Sequence, residues 1–168
     1  MSPKERDAAA ALVEVAPLVT RWIERLLGTL PTPLTLAQYL VLRAAAEGEV
    51  LAAELARAAG VSDPAVSQVV APLERAGLVV RQRSQADRRR FPLVLTEAGR
   101  ATLTAAQAQL EERMAAMLEP LPRPESGALA RGLPRVLAAL SGHPLPRRPP
   151  PPHHRPHGPK GAGPPQPK

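Results

Sequence analysis

Apolar residues recur along this chain at three- and four-residue steps, which is the period of a helix with one buried face. Leu12, Val15, Val19, Trp22, Ile23 and Leu26 trace such a stripe and predict a long first helix ending near Gly28. Pro17 interrupts it, so a kink or a later true start is expected there. Residues 34–47 predict a second helix capped by Thr35 or Thr32, and residues 51–59 a short third one closed by Gly60. Ser62 then caps a fourth, with Asp63 and Pro64 in its first turn. In this fourth helix Val66, Val69, Val70 and Leu73 form the inward face, while Ala65, Ser67, Gln68 and Ala71 point outward. Pro72 removes a backbone bond near the end of that helix, and Gly77 terminates it.

The period then changes. Residues 78–84 and 91–95 alternate as paired strands around a polar turn, with Phe91, Leu93 and Leu95 on one face. Pro92 places its strand at an edge. Thr96 caps a fifth helix whose inward set is Leu103, Leu110, Met114 and Met117. A sixth helix is predicted over residues 125–140, with Leu129, Leu133, Val136 and Leu140 on one side and Gly127, Gly132 and Pro134 weakening it. The predicted fold class is mainly α with a small β-hairpin wing: a winged helix–turn–helix flanked by N- and C-terminal helices.

Composition sharpens this picture only locally. The 168-residue chain carries a formal net charge of +7. Five of its basic residues (Arg147, Arg148, Arg155, Lys160 and Lys168) lie in residues 141–168, which hold no acid. Without them 17 basic side chains face 15 acidic ones, so clustering rather than overall charge must carry any nucleic-acid argument. That Pro-rich segment has no apolar period and is expected to be disordered. There is no cysteine, which excludes disulfides, thiol redox sensing and thiolate metal sites. No run is apolar enough to span a bilayer, and no signal peptide precedes the first helix. A cytoplasmic, bacterial protein without a membrane partner is the expectation.

All four histidines, His143, His153, His154 and His157, fall in the same segment. The body therefore offers neither histidine nor cysteine for general-base or nucleophilic work, and its carboxylates alternate with arginines at surface spacing, as Glu54 does with Arg57. No enzyme activity, cofactor or metal is expected.

Basic side chains concentrate where the hairpin turns. Arg83-Ser84-Gln85-Ala86-Asp87-Arg88-Arg89-Arg90 holds four arginines and one acid in eight residues. A narrow minor groove has a negative potential that favours a guanidinium and demands little sequence readout. The fourth helix suits the major groove for a different reason: its outward side chains are short enough for base edges to be approached. Gln68 can pair with adenine N6 and N7, Ser67 can meet a base or a phosphate, and Ala65 can meet a thymine methyl. Arg57, Arg81 and Arg83 are candidates for phosphate contact.

The blocks Glu54-Leu55-Ala56-Arg57-Ala58-Ala59-Gly60-Val61-Ser62, Leu73-Glu74-Arg75-Ala76-Gly77-Leu78-Val79 and Asp87-Arg88-Arg89-Arg90, followed by Leu95-Thr96-Glu97-Ala98-Gly99, resemble the MarR family of bacterial transcriptional regulators. The resemblance runs from about residue 34 to residue 117. It implies a homodimer in which the first, fifth and sixth helices of each subunit interlock. It also implies that Arg89 enters the minor groove while Asp87 holds the wing in shape. The expected DNA-facing set is Ser62, Ala65, Ser67, Gln68, Arg57, Arg83, Asp87, Arg88, Arg89 and Arg90. Small anionic or phenolic effectors are implied in a crevice beside the winged helix, and Trp22, Tyr39 and Arg43 are its candidate lining.

The chain is thus expected to divide into an N-terminal dimerisation helix (1–34), a DNA-binding unit (35–96), C-terminal dimerisation helices (97–140) and a basic tail (141–168). Its expected function is that of a homodimeric repressor of a near-palindromic operator in double-stranded DNA, tuned by a small aromatic or anionic effector. Two other readings stand beside it: a winged-helix protein-interaction module, and a nonspecific DNA binder driven by the tail.

Overall fold

The computed structural model describes residues 2–85 and 87–141, so the Pro-rich segment with its histidines and arginines lies outside the described residues. Helix α1 spans Pro3–Gly28. The Ser2 hydroxyl accepts from the Glu5 N–H, and the Glu5 carboxylate accepts from the Ser2 N–H, which starts the helix well before Pro17. Pro17 therefore neither delays the start nor divides the element; its missing N–H costs one helical bond. Helix α2 (Leu36–Ala46) begins with the same reciprocal cap, made by Thr35 and Gln38.

Helix α3 (Ala52–Ala59) ends at Gly60, whose φ of 65° is the left-handed conformation that glycine adopts without steric cost. The Val61 N–H then donates back to the Ala56 carbonyl at 3.0 Å, turning the chain into α4 (Asp63–Arg75). Val66, Val70 and Leu73 of α4 are buried. Val69, expected in the same inward row, is only partly covered, and Val70 takes the deepest place. Pro72 lies inside α4 without ending it.

Strands β1 (Val79–Arg81) and β2 (Leu93–Leu95) pair antiparallel, with Val80 opposite Val94. Both are shorter than the alternation predicted. The pairing nevertheless continues toward the tip as single bonds, Gln82 N–H to the Pro92 carbonyl and Ser84 N–H to the Arg90 carbonyl, both at 3.0 Å. Two strand expectations fail. Val50 bridges Leu93 on the side away from β1, exchanging both backbone bonds, so β2 is flanked twice and is not an edge. Pro92 is accommodated because it lies just before β2, where its carbonyl accepts from the Gln82 N–H and only the return bond is missing. Phe91 does not share the buried face of Leu93 and Leu95; it is 52% exposed, beyond the end of β2.

Helix α5 (Glu97–Leu118) starts on a tight junction. The Thr96 hydroxyl accepts from the Gly99 N–H at 2.9 Å and donates to the Gly77 carbonyl at 2.7 Å, while the Thr96 N–H donates to the Leu78 carbonyl at 3.1 Å. A Cβ on Gly99 would fall onto that Leu78 carbonyl, so only glycine lets the helix approach the wing this closely. Leu103, Ala106 and Leu110 of α5 join the core, whereas Met114 is half-buried and Met117 lies exposed. Helix α6 (Arg123–Ser141) closes the described chain and buries none of its residues.

The core gathers Leu27 from α1, Leu42 from α2, Val70 and Leu73 from α4, Val79 from β1 and Leu93 from β2, all essentially without solvent contact. Each such side chain contributes roughly 1.5–3 kcal/mol of apolar burial. Among the described residues no helix is long and apolar enough to cross a membrane, and no group of three His, Asp or Glu side chains gathers as a metal site.

Candidate nucleic-acid interface

Burial of Val66, Val70 and Leu73 fixes the rotation of α4 about its axis, and the opposite face follows from it. Ser67, Gln68 and Ala71 are exposed there, as is Ser62 in the cap position; Ala65 is half-buried. The Ser62 hydroxyl makes no capping bond to the helix. Helix α4 thus presents a strip of short side chains with one amide, backed by a rigid core.

The wing tip is built by its own backbone. The Arg90 N–H donates to the Asp87 carbonyl at 2.9 Å, and the Arg89 N–H donates to the Asp87 carboxylate at 3.0 Å. Asp87 therefore holds a turn at the point where the arginines are carried. The four arginines then separate into two pairs. Arg83 donates through Nε to the Arg88 carbonyl at 2.7 Å, and Arg90 donates through Nη2 to Glu54 at 2.7 Å. Both side chains remain exposed while making these contacts. Arg88 and Arg89 are exposed and make no ion pair with any described residue. Arg81, a candidate for phosphate contact, pairs with Glu74 at 3.0 Å, whereas Arg57 is exposed on α3.

Glu54, read from the sequence as alternating with Arg57 on a solvated face, has two further partners. One carboxylate oxygen accepts from the Leu51 N–H at 2.9 Å and the other from Arg90. The Leu51 N–H bond holds this carboxyl below its ordinary value, with Arg90 and then Arg57 adding to the effect, against desolvation, which acts the other way. Its place three residues into a helix, where a carboxylate caps the start, was the available signal.

Of the candidate effector residues, Tyr39 is buried in the core, Trp22 packs partly buried against the same core, and Arg43 is exposed on α2. Trp22 also borders a hollow of about 390 Å³ with Arg25, Leu26, Thr29 and Arg113.

A short-sided outward helix face beside an arginine-tipped wing, both set on one core, defines a winged helix–turn–helix DNA-binding regulator. The MarR family profile matches residues 32–90. The HTH-type transcriptional repressor Rv2887 of Mycobacterium tuberculosis is 36% identical over 107 residues, covering 63% of this chain and 77% of that protein. The chain belongs to the MarR family of transcriptional regulators. Its fold is similar to that of Rv2887 solved in complex with DNA (TM-score 0.64, 29% identity, 76% of this chain and 95% of that one). It is also similar to Rv2887 in complex with salicylic acid (TM-score 0.62, 32% identity, 75% and 93%). CouR from Rhodococcus jostii RHA1 bound to p-coumaroyl-CoA gives a TM-score of 0.65 at 25% identity, over 84% and 96% of the two chains.

Proposed function

We propose that two copies of this chain form a repressor that places one α4 in each of two successive major grooves of a near-palindromic operator. Ser67 and Gln68 read base edges, Ala65 and Ala71 allow the close approach, and Arg89 enters the flanking minor groove. Helices α1, α5 and α6 hold the two copies together. The observation that carries this reading is the pair of exposed guanidinium groups, Arg88 and Arg89, on a tip shaped by Asp87. The relative solved with DNA supports it.

The effector is a small aromatic anion, for which the Trp22 hollow supplies an aromatic wall and two cations, Arg25 and Arg113. The relatives solved with salicylic acid and with p-coumaroyl-CoA support that class. Such a ligand acts by binding more tightly to a dimer whose two α4 helices no longer match the groove spacing.

The test is selection from a randomised duplex pool, followed by affinity measurements across a salt series. Two inverted half-sites with centres about 10 bp apart, or a small multiple of that, are expected. Arg89→Ala should weaken binding by about tenfold or more with the helical signal unchanged, and should make the salt slope about 0.9 shallower if its contact is ionic. A pool that yields no consensus, or an Arg89→Ala variant that binds like the parent, overturns this reading.

A further inference from the structure

Strands β1 and β2 are three residues each, so the eleven residues between them project well beyond the ladder. Backbone bonds close this loop on itself, but they do not fix its direction relative to α4. Arg81 ties the base of the hairpin to Glu74 of α4 at 3.0 Å, and among the described residues of the tip one side chain forms an ion pair with another helix. Arg90 reaches from the wing to Glu54 on α3, 36 residues earlier in the chain, at 2.7 Å. The other oxygen of the same carboxylate is held by the Leu51 N–H at the start of α3. Helix α3 is joined to α4 by the Gly60 turn, with Val66 and Ala56 buried in the same core.

We propose that the Glu54–Arg90 pair is a brace that sets the wing tip relative to α4, making both side chains positioning residues for the neighbouring Arg89. The assignment rests on the proposed role of Arg89 in the minor groove. Position, rather than stability, is the quantity at stake. The pair is partly solvated, with side-chain exposures of 48% and 40%, and exposed ion pairs add little to folding. A groove contact, by contrast, depends on where a guanidinium is held before DNA arrives. Arg90 is adjacent to Arg89, and the Arg90 N–H and carbonyl both take part in closing the tip, so pinning its side chain orients the whole turn.

The brace competes with a second use of Arg90, as a phosphate contact, and the two predict opposite effects of Glu54. Glu54→Gln keeps an acceptor for the Leu51 N–H while removing the ion pair. Affinity for the duplex selected above is measured for Glu54→Gln, Arg90→Gln and the double variant, each with Arg89 present and with Arg89→Ala. With Arg89 present, each single variant should bind about two- to fivefold more weakly, and the double variant no more weakly than either. With Arg89→Ala, all three should match their background. Tighter binding by Glu54→Gln overturns the brace and makes Arg90 a phosphate contact. Equal losses with and without Arg89 overturn it as well, since the effect then does not pass through Arg89.

A readout without DNA separates failure of the brace from failure of the DNA reading. Backbone order parameters at residues 87–90 should fall from the rigid range near about 0.85 toward about 0.6 in Glu54→Gln, while those of α4 stay unchanged. An unchanged tip overturns the brace whatever the protein binds. A loosened tip together with an Arg89→Ala variant that binds normally retains the brace as a structural device but overturns its role in positioning a DNA contact.

Discussion

The winged centre and the helical flanks treat apolar residues in opposite ways. In the centre, α2, α4, β1 and β2 bury Leu42, Val70, Leu73, Val79 and Leu93 almost completely within one chain. In the flanks, α1 leaves Val13, Val15 and Leu18 at least half exposed, and α6 does the same with Leu133, Leu137 and Leu140. An apolar groove of about 600 Å³ runs between them, bordered by Leu12, Val15, Leu129 and Leu133. The centre completes its core within one chain, with Leu27 of α1 and Leu103, Ala106 and Leu110 of α5 contributing to it. The flanks carry the same helical periodicity, but these faces of α1 and α6 stay uncovered in one chain, as expected of helices whose partner is a second copy. One chain therefore holds a completed core and two helix faces left uncovered.

The sharpest way to break this contrast is to attack the centre. Val70→Asp places a carboxylate where no solvent reaches and should destabilise the protein on the order of 4 kcal/mol, read by urea denaturation. An unchanged midpoint would mean that α4 does not pack as described. Gly99→Ala tests the junction between centre and flank. Its methyl meets the Leu78 carbonyl, and a loss of about 3 kcal/mol in the same measurement is expected. If that variant is as stable as the parent, the close approach of α5 to the wing is not obligatory.

In the flanks the same kind of change should act on assembly instead. Leu133→Glu should leave the melting of the centre nearly unchanged but weaken self-association by roughly thirtyfold, about 2 kcal/mol per dimer, in sedimentation measurements. Retention of the parent's association would show that this face is not the contact. The smallest effect is electrostatic. Because the Glu54 carboxyl is held below its ordinary value, its contribution is present above the unfolded value of about 4.3 and is lost as pH falls through the lower folded one. Acidification from pH 6 to pH 3 should loosen residues 87–90 in the parent before the helices melt, followed by amide exchange; Glu54→Gln should show no such step. A parent tip that is indifferent to pH would remove Glu54 as its anchor.

The contrast also explains which features could be read in one dimension. Helix positions were legible because caps and periodicity act within a few residues: Thr35 with Gln38, Gly60 in the left-handed conformation, Thr96 with Gly99. The outward strip Ser67, Gln68 and Ala71 was equally legible, being the complement of an apolar face on the same helix. The division of labour among the wing arginines was not. Arg83, Arg88, Arg89 and Arg90 are chemically identical neighbours, and only a contact 36 residues away separates Arg90 from Arg89. The surroundings of Tyr39 and Trp22 were not legible either: both are aromatic and helical, but Tyr39 lies within the core while Trp22, packed partly buried against it, also borders Arg25 and Arg113.

By itself, then, the sequence determined the order and type of elements, the inward face of α4, the acid that shapes the wing and the family to which the chain belongs. All but the last are local signals, expressed over one or two turns of chain; the family is read from blocks spread over residues 54–99. Only the tertiary structure decided that β2 lies between β1 and Val50, that Phe91 stays outside the core, which wing arginines find partners within the protein, and which apolar faces stay uncovered in one chain. Those outcomes depend on side chains far apart in sequence competing for the same partners, and that competition is resolved only when the helices are packed.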